Sequence, residues 1–163
     1  MTKSKFSLWV ISATLVILVL SVINYIIFAK LIFADNNKIS YGILIFIGLL
    51  LFTWLWLTFG ELRTKIITVV IDSNKITKRN FWGLGRKVSF ELSDFDGYKT
   101  AQLPSRFRTY ENLYLVKDEK KKIKISQFYH HNYSELKIVL RENVKFIGTE
   151  NINYINELKE IFE

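Results

Sequence analysis

The hydrophobic and polar positions of this chain change their period near Gly60. Before that point two apolar stretches run from Phe6 to Ala29 and from Ile39 to Gly60, neither containing Asp, Glu, Lys or Arg. A hydrocarbon core ~30 Å thick is crossed by about 20 helical residues, so each stretch predicts a transmembrane helix. The link between them, with Lys30, Asp35 and Lys38, is short enough to predict an antiparallel hairpin. The first stretch is read as retained rather than cleaved. It exceeds the apolar region of a signal peptide, and Lys30-Leu31-Ile32-Phe33 follows where small residues would mark a cleavage site.

Past Gly60 the pattern becomes one of short strands. Ile66 to Ile71 is β-branched, Asp72-Ser73-Asn74 suits a turn, and Lys75 to Phe81 follows as the second arm of a hairpin. After a turn at Trp82-Gly83-Leu84-Gly85, Val88, Phe90 and Leu92 alternate with Lys87, Ser89 and Glu91. Segments Gly97 to Ala101, Asn112 to Lys117 and Lys120 to Gln127, the last two around Asp118-Glu119, complete about six strands. Strands so closely spaced predict an antiparallel meander curled or closed to limit its edges. Asn132 then starts a helix, with its side chain accepting from the first turn and Glu135 reaching back. Leu136, Val139 and Leu140 share one face of it. Gly148 is expected to break the chain, and a further helix to begin near Thr149 to Asn151, with Ile152, Ile155, Leu158 and Phe162 on one stripe.

The expected organisation is therefore α+β: a transmembrane hairpin over residues 1–60 (helices 6–29 and 39–60) and one domain over residues 61–163. That domain holds 19 Lys and Arg against 14 Asp and Glu, within a chain of net charge +8. Cations Lys3 and Lys5 precede the hairpin and Arg63 and Lys65 follow it, against Lys30 and Lys38 in its loop. The bias predicts a multi-pass cell-membrane protein with both termini cytoplasmic. Trp9, Trp54 and Trp56 would line the interface on that side, and Tyr25, Phe33 and Tyr41 the other.

The hairpin followed by Ile71 to Gly83, Phe90 to Tyr98, Leu113 to Ser126 and a closing helix resembles the bacterial membrane-anchored pleckstrin-homology-like domains. The resemblance covers roughly Leu62 to Leu140. It implies a partly orthogonal β-barrel plugged by a C-terminal helix, to which this chain adds one terminal helix, and a role in interaction rather than catalysis. The lysine and Lys/Arg-x-Arg pattern of phosphoinositide-binding relatives is not matched, since the second strand offers Lys75, Lys78 and Arg79 at other spacings.

Candidate chemistry is sparse. The absence of cysteine removes disulfides, thiolate metal sites and a Cys nucleophile. No nucleotide-cradling or zincin motif is present, His130 and His131 point apart as a helix-entry pair, and Asp94 and Asp96 suit a turn near Gly97. No enzyme activity, metal or cofactor is expected. The hairpin holds no ionisable group, and its hydroxyls are expected to bond their own helix while Asn24 bonds across the hairpin or in an oligomer. Arg106, Phe107 and Arg108, with Lys120, Lys121 and Lys122, are the candidate contacts for anionic lipid head groups or a protein partner. The excess charge is too mild, and the aromatics too regularly alternating, for nucleic acid. The first expectation is a non-enzymatic membrane adaptor or scaffold that binds a protein partner or itself. An anionic-lipid-recognition module is the second, and a small transporter or pore subunit the third.

Overall fold

In the computed structural model, residues 1–32, 40–105 and 108–151 are described. The chain begins in the sheet domain, with β1 (Thr2–Lys3), before it enters α1 (Leu8–Ile32). Helix α2 (Tyr41–Leu55) continues into a π-helical segment, Trp56–Leu62. Strands β2 (Thr68–Asp72), β3 (Lys75–Arg79) and β4 (Lys87–Glu91) follow, then β5 (Gly97–Pro104), β6 (Thr109–Lys117) and β7 (Lys120–Ser126). Helix α3 (Tyr133–Asn143) precedes β8 (Phe146–Glu150).

Both α1 and the α2/π segment are long and apolar enough to cross a membrane. Most of their large side chains are exposed, as the burial of only 11% and 0% of their most apolar windows shows. Four of the hydroxyls behave as expected: Ser12, Thr14, Ser21 and Thr53 each donate to a carbonyl of their own helix, at 2.8 to 2.9 Å. Thr58 departs from this, its buried Oγ1 having no partner among the described residues. A bond across the hairpin is present, but Asn24 does not make it. The indole N–H of Trp54 donates to Ser21 Oγ at 2.7 Å, whereas the buried amide of Asn24 has no partner among the described residues.

The strands form two four-stranded sheets, ordered β1-β2-β3-β4 and β7-β6-β5-β8. The strands expected as a curled or closed meander are distributed over two sheets, and no closed barrel is formed among the described residues. All pairs are antiparallel except β5 with β8. The predicted turns hold. Lys117 faces Lys120 across Asp118 and Glu119, whose φ values of 53° and 60° are those of a tight primed hairpin turn. One core lies between the sheets and under α3, built from residues such as Ile71, Ile76, Leu113, Ile123, Leu136 and Leu140. Helix α3 is further held by Glu111, which accepts from Tyr133 and, at 2.6 Å, from Lys137.

Three expectations around α3 and the chain ends are corrected. Asn132 occupies the N-cap but makes no side-chain cap bond. Its Oδ1 accepts from the Lys5 amide at 2.7 Å, and its Nδ2 donates to Lys3 O at 3.0 Å and to Glu135 Oε2 at 3.1 Å. The demand of the N-terminal strand for partners outcompetes the helix start. Gly148 does not break the chain but lies within β8 at φ 132°, beside a register shift against β5. The segment from Phe146 to Glu150, part of which was expected to start a helix, is this strand. The remainder of that expected helix, 152–163, lies outside the described residues.

Candidate functional site

The base of the hairpin is joined to the domain on both sides. At the entry to α1, Ser7 donates through its amide to Tyr129 O at 2.9 Å and through its hydroxyl to Phe128 O at 2.8 Å. Trp9 stacks on Phe128 with centroids 5.6 Å apart, so this indole packs on the domain. At the exit, the π segment carries Glu61, which binds Lys65 at 2.6 Å and accepts the Tyr129 hydroxyl.

Just beyond that segment, the two sheets leave a cationic concavity of about 570 Å³, lined in part by Arg63, Lys78, Lys120, Lys121, Lys122 and Lys124. The remaining lining consists of Thr64, Ile67, Asn80 and Tyr114, so none of the lining residues is acidic. Local sequence explains the arrangement. The tight turn at Asp118-Glu119 places Lys120 at the start of β7, and period two sends Ile123 and Ile125 into the core while Lys122 and Lys124 point away. A register shift between Leu115 and Val116 pairs Val116 with Lys121 and Leu115 with Ile123, leaving Lys122 as the extra residue of a bulge. That bulge brings successive lysines to the cavity.

Lys78 enters from the other sheet. Its ammonium donates to Lys122 O at 2.6 Å, linking β3 to β7. Burial, and secondarily the charge of Lys122, pushes its pKa below the ordinary lysine value. Lys121 pairs with Glu150 at 3.0 Å and lies 4.4 Å from the centre of the Tyr114 ring, with Lys124 at 5.2 Å from the same ring. A partly desolvated ammonium beside Lys122, in a recess lined by further cations of which Lys121 is paired with Glu150, suits a phosphate or other multiply charged anion.

The residues singled out in the sequence divide between places. Lys120, Lys121 and Lys122 line the concavity. Arg106 and Phe107 lie outside the described residues, and Arg108 sits over the Tyr110 ring at 4.4 Å. Sequence reasoning missed Arg63 and Lys124 as members and set Lys78 aside on spacing. The alternation of Lys122 and Lys124 was a visible signal; the approach of β3 to β7 carried none.

His130 is buried, with Nδ1 2.9 Å from Ser126 O and Nε2 2.9 Å from Ile67 O. Burial pushes its pKa below the usual imidazole value despite both carbonyls. It ties Ile67, just before β2, to the segment before α3, while His131 uses its amide to donate to Lys5 O at 2.8 Å. Asp94 pairs with Lys117 at 2.9 Å, and Asp96 accepts from the Glu119 amide at 3.3 Å, so both serve turns. Among the described residues no group of three or more His, Asp or Glu side chains could hold a metal ion. No family model, no curated protein and no solved structure matches the chain.

Proposed function

We propose that this protein is an integral membrane module that holds its sheet domain against the cytoplasmic face of the bilayer and grips the head group of an anionic lipid. The observation that carries the proposal is the cationic concavity, whose Arg63 directly follows the second bilayer-length helix. A cation near an anionic surface contributes about 1 kcal/mol, and several in one recess favour a phosphate-bearing head group. Because β1 precedes α1 and β2 follows the π segment, both ends of the hairpin return to the same domain, which agrees with the positive charges flanking them. The succession of meanders β2-β3-β4 and β5-β6-β7 ahead of α3 supports the pleckstrin-homology-like resemblance, and the parallel β8 departs from it. The role is one of recognition rather than catalysis.

A test uses the full chain, since β1 belongs to the sheet. In nanodiscs containing a fluorescent phosphatidylglycerol at low fraction, energy transfer from the tryptophans should exceed that to a matching phosphatidylcholine and fall with salt. The pair Lys78→Gln and Lys122→Gln should erase the excess. Equal transfer to both lipids would remove the proposal.

A second reading, an adaptor for a protein partner, is favoured by the outer edge of β4, which ends the first sheet and has no strand partner among the described residues. An extended peptide could add there as a further strand. Crosslinking from Ser89 in native membranes should then capture a stoichiometric protein, and capture of lipid alone would count against it.

A further inference from the structure

A second cavity of about 540 Å³ lies between the root of the hairpin and the second sheet. Its size is that of a small-molecule site, typically ~300–1,000 Å³. Its lining combines apolar side chains from the two bilayer-length helices, Trp9, Ala13, Val16 and Leu57, with polar ones, Asn112 on β6 and Glu61 on the π segment. Strand β6 is buried from Asn112 to Val116: Leu113 and Leu115 meet the core, while on the other face Asn112 lines this cavity and Tyr114 the cationic one.

Asn112 is the telling residue. It is only 3% exposed, and its Oδ1 has no hydrogen-bond partner among the described residues. A desolvated acceptor left unpaired is costly and calls for a donor from elsewhere. Glu61 cannot supply one, because its carboxylate itself accepts from Lys65 and Tyr129. The Glu61 carbonyl is shared by the Lys65 amide at 3.0 Å and the Ile66 amide at 3.3 Å, where the helical path ends.

We infer that this cavity is a second site, which takes the chain of a membrane lipid along its apolar side chains and holds a hydroxyl or amine of that lipid's polar end on Asn112 Oδ1. The occupant comes from the bilayer because the apolar wall is continuous with the exposed sides of α1 and α2. Lys124 lines both this cavity and the cationic one, so the two sites adjoin without sharing Asn112 or Lys78.

The probe is a monoacylglycerol bearing a diazirine in its acyl chain, added to the full-length protein in mild detergent. After irradiation, peptide mapping should place most label on Trp9, Val16 and Leu57. Excess unlabelled monoacylglycerol should compete it away, whereas a photoactive alkane of equal length should label these positions at least tenfold less. Asn112→Leu should lower labelling about tenfold, and Ala13→Phe, which adds bulk among the apolar side chains, should abolish it with the unfolding midpoint retained. Label spread evenly along α1 and α2 and indifferent to Ala13→Phe would overturn the inference. The variant pair Lys78→Gln and Lys122→Gln should leave labelling intact, which separates this site from the head-group site; equal loss there would overturn its independence.

Discussion

The side chain of Asn132 accepts the backbone N–H of Lys5 at 2.7 Å across 127 positions of sequence. With its bond to Lys3 O, it clamps the strand that precedes the first apolar helix onto the start of α3. Ser4 completes the attachment, its amide donating to Val69 O at 2.8 Å and its hydroxyl accepting the Val69 amide at 2.9 Å. The N-terminal segment is therefore structural and cannot be trimmed without opening an edge of the first sheet.

Asn132→Ala should destabilise the full-length protein by about 1–3 kcal/mol, because Lys5 N–H and Lys3 O lose a buried partner. Hydrogen exchange should localise the effect, with faster exchange at Lys5 and Val69 and little change at Leu113. Uniform acceleration throughout the domain would refute a local clamp.

His130 predicts a pH dependence. Its pKa in the folded protein is lowered by burial, so between that value and 6.5 the unfolded chain binds more protons than the folded one. The contribution to stability is complete above 6.5 and is lost as pH falls. Thermal unfolding of the protein in micelles should show a midpoint that declines from pH 7.5 to 5.5. His130→Gln, which does not titrate, should start lower and have a shallower slope. Parallel slopes would assign the acid sensitivity elsewhere.

Local features were legible in the sequence, and long-range ones were not. The hairpin turn at Asp118-Glu119 and the inward face of Leu136 and Leu140 follow from turn chemistry and period, and both stand as read. Strand β1 has two residues, too few to carry a period, and owes its existence to the edge of β2. Asn132 had the right identity and position for a cap, but its side chain serves residues more than 120 positions away. The lysines of β7 were visible as a cluster. Their meeting with Lys78 depends on how two sheets approach, which alternation within either strand does not encode.

Gly97 sits where β5 receives β8. A Cβ there would run into the Ile147 side chain and come within 2.6 Å of Lys145 O, a backbone atom with little freedom to retreat. Gly97→Ala should therefore cost about 1–3 kcal/mol through overpacking. The damage should fall on the parallel β5-β8 pair, read as increased proteolysis after Lys145 with the β5-β6 pairing intact. Wild-type proteolysis together with wild-type stability would mean that β8 shifts without loss.

Lys78 links the head-group site to alkaline pH. Burial and Lys122 lower its pKa, so its ammonium loses its proton before ordinary lysines do as pH rises. A bound phosphate stabilises the charged form and raises that pKa, which by linkage makes affinity for the anion decline with rising pH. Preference for phosphatidylglycerol over phosphatidylcholine in nanodiscs should fall on the alkaline side before the remaining lysines titrate. Lys78→Arg, whose guanidinium stays charged, should retain the preference at the same pH, and Lys78→Gln should lack it throughout. A loss identical in wild type and Lys78→Arg would show that the other lysines, rather than the buried one, hold the head group.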